Sequence, residues 1–225
     1  GQDKELYRWH WQIKNNRTSD DFSPLIEMVT ALGRSGSRYQ RDTDRLLDVD
    51  QWLRAFAVQV LFGIADNYSS ESRHNAMFYH RPSDGKMLYF PWDMDFTFVR
   101  GASSSLTPND DQNRLIRASS LNRRNFYRHL WEIIQSTFNT DYLSEWANHY
   151  SCFLPTEDLN RFMPYVRTRS AFALAEIERA IPQVPFSIST DNNFSTPSTM
   201  AIIEGKGWLD VHQIRIAGGE NLSIE

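Results

Sequence analysis

One predicted helix constrains the fold of this chain more than any other segment does. Residues 52–62 read Trp-Leu-Arg-Ala-Phe-Ala-Val-Gln-Val-Leu-Phe and are apolar on nearly all sides of a helix. Asp48 and Asp50 precede this run as residues that begin helices, and Gly63 ends it. A helix without a polar face lies in the interior of a folded domain. We therefore predict that residues 52–62 form the central buried helix of the 225-residue chain.

The N-terminal side of this helix has weaker patterns. Residues 7–13 alternate in polarity, which predicts a strand. Asp20 and Asp21 are placed to cap a helix over residues 22–32, which a glycine ends. Residues 33–45 are polar, which predicts a loop.

The C-terminal side begins with a predicted β-hairpin. Residues 76–80 and 86–90 have strand-like patterns and flank the turn-forming residues 82–85. Residues 101–113 are low in hydrophobicity, which predicts a loop. Residues 125–182 have a helical pattern. The sequence therefore combines a hairpin with a largely helical body.

The character of the chain changes after Pro182. Residues 185–199 are rich in Ser, Thr, Asn and Pro, which predicts a linker, and residues 200–216 alternate as two strands. Isolated hairpins are marginally stable, so these strands either pack on the helical body or begin a further β-domain. We predict an α+β fold, with one domain over residues 1–185 and a linker and β-strand tail over residues 186–225.

Composition argues against some partners. A net charge of −4 gives no broad attraction for nucleic acid, and no stretch is apolar for long enough to cross a bilayer. Cys152 is the single cysteine, so it cannot form an internal disulfide. We expect this cysteine to be buried, as free cysteines usually are. We predict no nucleic-acid partner and no membrane span in this chain.

Two carboxylates directly follow the second hairpin strand. Asp93 and Asp95 lie in the segment Phe90-Pro-Trp-Asp-Met-Asp-Phe-Thr-Phe98. A strand end holds the next residues firmly, as a metal site requires, and Mg²⁺ prefers carboxylate ligands. The aromatic residues around Asp93 and Asp95 predict that the two carboxylates are buried, where they need a metal ion or a basic partner.

A second polar group lies in the loop after the central helix. Asp66 opens this loop and Asn75 closes it, directly before the hairpin. Protein kinases have the same order of helix, Asp, loop, Asn, hairpin and Asp. In those enzymes the first aspartate orients the accepting hydroxyl, and the later asparagine and aspartate hold metal ions. The gap between Asp66 and Asn75 is wider than in the usual kinase motif, so the order alone leaves the function open.

These motifs resemble the core signature of the CotH kinase family. The resemblance covers roughly residues 5–180, and the Pro-Trp-Asp run is its most specific part. The matching segments are Ala65-Asp-Asn-Tyr68, Arg73-His-Asn-Ala-Met-Phe-Tyr-His80, Phe90-Pro-Trp-Asp-Met-Asp-Phe-Thr-Phe98, Asp21-Phe-Ser-Pro-Leu-Ile-Glu27 and Asp48-Val-Asp-Gln-Trp-Leu53.

The resemblance implies an atypical, secreted protein kinase that uses ATP with Mg²⁺ or Mn²⁺. Such an enzyme would transfer the γ-phosphate to Ser or Thr of exported proteins, as in bacterial spore coats. It also implies a mainly helical, protein-kinase-like C-lobe whose hairpin carries the metal site. By the same resemblance, Asp66 matches the catalytic aspartate and Asn75 an asparagine that assists catalysis and metal binding. Asp93 or Asp95 matches the metal-binding aspartate.

Candidate contacts to the nucleotide lie beside Asn75. His74 could bind a phosphate as part of the cofactor site, or it could hydrogen-bond to the loop. Arg73 could neutralise Asp93 or a phosphate, or form a surface ion pair. We retain Arg73 and His74 as candidate cofactor-binding residues.

One feature of the kinase pattern is missing. Protein kinases also hold ATP with a lysine and a flexible phosphate loop from an N-terminal lobe. Lys4, Lys14, Lys86 and Lys206 are the only lysines here, and no glycine-rich loop accompanies them. We therefore expect the nucleotide lobe to lie upstream and to be largely missing from this chain.

Two other interpretations remain at this stage. Asp93-Met-Asp-Phe-Thr97 also fits the DxDxT motif of haloacid-dehalogenase-like phosphatases, and a DxD glycosyltransferase is possible on similar grounds. Both folds need a parallel sheet, which the helical pattern after residue 100 disfavours. The other interpretation is an inactive pseudokinase or structural scaffold at the cell surface, because a fold alone does not establish function.

Overall fold

The fold was analysed in a computed structural model that describes residues 3–68, 74–107, 110–191, 195, 197, 202–215 and 221–222. No helix in this part of the chain has the length and apolar character needed to span a bilayer. The helices within these residues are α1 (Lys4–His10), α2 (Ser23–Leu32), α3 (Gly36–Leu46), α4 (Val49–Leu61), α5 (Asp110–Ile116), α6 (Ser120–Ser136), α7 (Thr140–Tyr150) and α8 (Met163–Ala180).

The described strands form three antiparallel pairs, β1 with β2, β3 with β4, and β5 with β6. In the first pair, Met77 lies opposite Phe90 and Phe78 lies opposite Tyr89. The predictions of a mainly helical α+β fold and of a hairpin are confirmed. The strands are β1 (Ala76–His80), β2 (Met87–Pro91), β3 (Ser187–Ile188), β4 (Gly205–Lys206), β5 (Ile214–Arg215) and β6 (Asn221–Leu222).

Helix α4 lies in the core, as the sequence predicts. Asp48 caps its first turn by accepting a hydrogen bond from the Gln51 amide at 3.4 Å. Trp52 and Leu61 are buried, as are most of the side chains between them. The Trp52 indole donates to the carbonyl of Met87 at 2.8 Å. Each large apolar side chain buried in this way stabilises the fold by about 1.5–3 kcal/mol, so α4 organises the domain.

Two glutamines of α4 attach strand β2 to the helix. The Gln51 side chain donates to the carbonyl of Tyr89 at 2.6 Å and accepts from the amide of Tyr89 at 2.9 Å. Gln59 is fully buried and donates to the Tyr89 hydroxyl. Burial raises the pKa of Tyr89, which therefore stays protonated in this contact. These bonds fix the hairpin against the central helix.

The opening segment corrects a prediction, because residues 7–13 do not form a strand. Residues 4–10 form α1, and Asp3 caps it by accepting a hydrogen bond from the Glu5 amide at 3.0 Å. Lys4 and Arg8 lie one turn apart on this helix, so both reach Asp20. These ion pairs to Asp20 join residues distant in sequence, and the alternating pattern gives no sign of them.

Two predicted loops and the predicted environment of Cys152 are also wrong. Most of residues 33–45 form α3, a helix so polar overall that its composition suggested a loop, although its few apolar side chains share one side. Tyr39 and Thr43 are buried on that side, and the Thr43 hydroxyl donates to the carbonyl of Tyr39 at 2.8 Å. Helix α5 begins within residues 101–113. Cys152 is exposed in a 3₁₀ turn after α7.

Part of the tail packs on the helical body. Arg124 of α6 donates to the carbonyls of Gly207, Trp208 and Val211 at 3.3, 2.6 and 3.0 Å. The Trp208 indole donates to the carbonyl at the end of α8 at 2.8 Å. Leu209 is completely buried. Leu209 is therefore part of the hydrophobic core, and Trp208 packs against it.

We predict that Arg124→Ala releases the tail from α6. The substitution removes hydrogen bonds from a charged donor to three carbonyls and should lower the free energy of unfolding by about 1–3 kcal/mol. Limited proteolysis should then cut the tail faster. Arg123→Ala is the matched control, because Arg123 donates to one carbonyl, that of Ala180, and lies over the Tyr127 ring without contacting the tail in the described residues. Equal cleavage of the two variants would contradict the role of Arg124.

We also predict that Gly63→Ala destabilises the end of α4. Gly63 has φ +58°, and its added Cβ would lie 2.1 Å from the Tyr165 hydroxyl. The left-handed backbone alone costs an L-residue about 1–2 kcal/mol, so urea unfolding should show a larger loss. Gly85→Ala is the control, with φ +69° and no atom closer than the His80 Nε2 at 3.8 Å. Equal losses would argue against the steric contribution.

Candidate functional site

The loop that begins at Asp66 is paired with a segment that returns from the hairpin. The amide of Ala65 donates to the carbonyl of Phe96 at 3.1 Å, and the amide of Phe98 donates to the carbonyl of Phe62 at 2.7 Å. The main chain after β2 therefore runs back along the end of α4. This pairing brings the segment that contains Asp93 and Asp95 beside Asp66.

A further main-chain bond closes the base of the hairpin. The amide of Trp92 donates to the carbonyl of Asn75 at 3.0 Å, directly beyond the last residue pair of β1 and β2. Asp93 therefore follows the residue that is bonded to Asn75. These main-chain bonds bring the segments that contain Asp66, Asn75, Asp93 and Asp95 to the same end of the hairpin.

The Asp66 carboxylate is held by two neighbours from the other end of its loop. The Nε2 atom of His74 lies 2.8 Å from Oδ1 of Asp66. The Asn75 side-chain amide donates to the main-chain carbonyl of Asp66 at 2.7 Å and to its Oδ2 at 3.4 Å. Asp66 is partly exposed, with 30% of its side-chain surface accessible. The carboxylate is thus oriented and still open to solvent.

Asp93 and Asp95 are in a different situation. Both are exposed, and neither carboxylate has a hydrogen bond or ion pair with any residue that the structure describes. The prediction that they are buried is wrong, because Trp92 and Phe96 are themselves 57% and 48% exposed and do not cover them. The oxygens of Asp93 and Asp95 are therefore available to a cation.

The donors at this end of the hairpin suit a cation that a nucleotide also binds. Among the described residues, no cluster of three or more His, Cys, Asp or Glu side chains is arranged to hold a metal ion alone. Mg²⁺ normally binds one or two carboxylates and completes its shell with water and substrate phosphates. The carboxylates of Asp93 and Asp95, which have no partner in the described part of the chain, fit this kind of site.

The backbone is unusual at three positions around this site. Asn75, Asp93 and Phe98 have φ of 55°, 56° and 65°, in the left-handed region. Asn and Asp tolerate this conformation better than other residues, whereas Phe98 needs support from its surroundings. Its ring packs 4.7 Å from Phe162 and 5.2 Å from Tyr165, measured between centroids. Such conformations cost about 1–3 kcal/mol each and cluster at functional sites.

The supporting residues of this site were partly missed in the sequence. Gln51 and Gln59 are the only amides on the apolar helix α4, and that interruption was the available signal. Arg73, a candidate cofactor-binding residue, lies outside the described residues. A cavity of about 470 Å³ borders the loop through Tyr68 but is lined by none of the predicted site residues.

Comparison with known proteins identifies the family. The profile of the family described as CotH kinase protein matches residues 2–182, which include all the helices described above and the β1–β2 hairpin. No curated protein and no solved structure matches the chain. The family match covers most of the 225 residues and contains every predicted site residue. The chain therefore belongs to the CotH kinase protein family.

Proposed function

We propose that this protein is an atypical protein kinase that transfers the γ-phosphate of ATP to Ser or Thr hydroxyls of exported proteins. The family match supports a kinase-like function. The proposal of ATP-dependent transfer to Ser or Thr rests on the different surroundings of the aspartates at the end of the hairpin. Asp66 is held by His74 and Asn75, whereas Asp93 and Asp95 are exposed and without partners among the described residues.

In this proposal Asp66 orients the accepting hydroxyl. The Asp66 carboxylate accepts hydrogen bonds from His74 and Asn75, which fix its direction and leave lone pairs free on both oxygens. A Ser or Thr hydroxyl that donates to Asp66 would then direct its oxygen lone pairs towards the phosphate. Positioning and electrostatic stabilisation account for most of the catalysis in phosphoryl transfer.

Asp93 and Asp95 would hold the divalent cation, with the side-chain oxygen of Asn75 as a further ligand. Mg²⁺ or Mn²⁺ neutralises charge on the phosphate oxygens when it is bound. The left-handed backbone of Asp93 turns the chain directly after the hairpin and exposes this carboxylate. Asn75, directly before β1, also has a left-handed backbone. We propose that both strained positions are retained for metal binding.

The outer face of the hairpin is a candidate seat for the adenine ring. Met77 and Phe90 lie opposite each other in the strand pair and are 38% and 41% exposed. Tyr79 is exposed on the same face. An exposed apolar surface next to two exposed carboxylates suits a ligand with an apolar ring and a phosphate chain that binds a cation. The phosphates would then extend towards Asp93 and Asp95.

Protein kinases also place a lysine on the ATP phosphates. Lys86 donates to the carbonyls of Asp44 and Leu47, and Lys4 pairs with Asp20, so neither is available. We propose that residues 186–225 form a linker and a β-strand tail that packs against the kinase domain. Secretion or display at the cell surface is likewise proposed from the family alone.

A phosphatase and a pseudokinase scaffold are the two alternatives to a kinase. A DxDxT phosphatase needs a parallel sheet, whereas every strand pair in the described part of the chain is antiparallel. A pseudokinase scaffold would keep the fold without binding nucleotide. ATP binding and phosphoryl transfer therefore separate the scaffold from the kinase.

We predict metal-dependent phosphoryl transfer from γ-labelled ATP by the longest natural form of the protein. Asp93→Ala should abolish labelling by removing a metal ligand. Asp66→Ala should lower the rate by about 10²–10⁴-fold, the usual contribution of a positioned acid or base. Both variants should keep their helical circular dichroism. Labelling is measured with Mg²⁺, with Mn²⁺ and with a chelator.

The matched control is Asp191→Ala, which removes an exposed aspartate far along the chain and should leave labelling unchanged. Normal activity of folded Asp66→Ala or Asp93→Ala would contradict the assigned role of that residue. Absence of both ATP binding and labelling in the unsubstituted protein would favour the scaffold.

We also predict that His74 acts by positioning Asp66. His74→Ala should lower kcat by up to about 100-fold, since small displacements of a reacting group have effects of this size. His74→Gln can still donate a hydrogen bond to Asp66 and should recover part of the loss. In both variants KM for ATP should change little. A large rise in KM with constant kcat would instead indicate that His74 binds the nucleotide.

A further inference from the structure

A row of aromatic rings lies on the exposed side of α7. Tyr142, Trp146 and Tyr150 follow each other at intervals of four residues, so they share one face of the helix. Their exposed fractions are 38%, 43% and 48%, and Phe153 extends the row with 71% exposed. We refer to these four residues as the α7 aromatic row.

The rings of the α7 aromatic row support one another. The centroid of Trp146 lies 6.2 Å from that of Tyr142 and 5.7 Å from that of Tyr150. The centroid of Phe153 lies 6.4 Å from that of Tyr150. With a rise of about 1.5 Å per residue, Tyr142 and Tyr150 are about 12 Å apart along the helix. Contiguous exposed apolar surface of this kind marks interaction sites.

The formally charged side chains of α7 and of the ten residues after it are all negative. Residues 140–160 contain four carboxylates and no lysine or arginine. Glu157 pairs with Arg161, and Asp158 caps a 3₁₀ turn. Asp141 and Glu145 are exposed on α7 and have no hydrogen bond or ion pair with any described residue. They lie one turn apart, where two like charges oppose helix formation slightly.

Asp141 and Glu145 lie next to residues of the aromatic row in the sequence of α7. Asp141 and Glu145 each directly precede a ring residue, Tyr142 and Trp146, so they form a second row about 100° around the helix from the aromatic row. Asp141 also interacts favourably with the N-terminus of α7, but Glu145 lies beyond the first turn. A cation in front of the rings would meet both the carboxylates and the negative faces of the rings.

We propose that the α7 aromatic row and its two carboxylates bind a polypeptide segment rich in Lys or Arg. Aromatic faces attract ammonium and guanidinium groups, and this attraction adds to that of the neighbouring carboxylates. A polypeptide is the suitable occupant because the row is long. About four residues of an extended chain, at about 3.3 Å each, match the distance from Tyr142 to Tyr150. The charge complementarity excludes an anionic membrane surface as the occupant.

This binding surface is independent of the proposed kinase activity. It uses no residue of the hairpin end, and its test measures binding rather than phosphoryl transfer. The failure of one proposal therefore leaves the other unaffected.

The test uses fluorescently labelled peptides of alternating Lys and Gly, alternating Arg and Gly, and alternating Glu and Gly. Fluorescence anisotropy should detect binding of the two cationic peptides and none of the acidic one. Trp146→Leu keeps an apolar side chain but removes the ring, and it should weaken binding roughly two- to fivefold. Glu145→Gln should weaken binding to a similar degree and reduce its dependence on salt.

Two matched controls make the outcome decisive. Trp9→Leu removes a ring that is 85% exposed on α1, and Glu204→Gln removes an exposed charge in the tail, so neither should change binding. Four results would overturn the proposal: no binding of either cationic peptide, full binding by Trp146→Leu, full binding by Glu145→Gln, or equal losses in the control variants. Self-association that Trp146→Leu abolishes, without peptide binding, would assign the surface to a second copy of the chain instead.

Discussion

The position of the candidate site depends on one buried cation. Arg169 of α8 is 2% exposed and donates to the carbonyl of Val60 at 2.9 Å and to those of Ala102 and Ser104. Val60 lies in the last turn of α4, where the helix dipole favours a positive charge. Burial lowers the pKa of Arg169, but a guanidinium remains protonated in proteins. Arg169 thus joins the end of the central helix, the segment after the site and α8.

The hydrogen bonds of Arg169 add to the main-chain pairing between the end of α4 and the segment that follows the hairpin. We call residues 92–104, which follow the hairpin, the return segment. It contains Phe98, whose left-handed backbone is supported by rings at the start of α8. Helix α8 therefore holds both ends of the segment, through Tyr165 near Phe98 and through Arg169 near Ser104. A segment held in this way can retain strained backbone at Asp93, because the surrounding packing offsets the local cost.

Local patterns in the sequence predicted α4 and the hairpin well. The apolar surface of α4 and the turn residues of the hairpin each act within a few residues, so the sequence displays them directly. Helix α1 could not be predicted in this way, because its ion pairs reach Asp20. The role of Arg169 was equally hidden, since its acceptors are main-chain carbonyls that any residue can provide. The order of Asp66, Asn75, Asp93 and Asp95 was readable, but their exposure depends on how the return segment packs.

The difference between Asp66 and the other two aspartates bears on their proposed roles. A group that orients a hydroxyl needs a fixed direction, and Asp66 has it from His74 and Asn75. A group that binds a hard cation needs accessible lone pairs, which a strong protein donor would occupy. Asp93 and Asp95 have no such donor among the described residues. Exchanging the roles would require the cation to displace His74 from Asp66, although Asp93 and Asp95 are exposed and no described residue binds them. The assignment of Asp66 to the hydroxyl is therefore the more economical one.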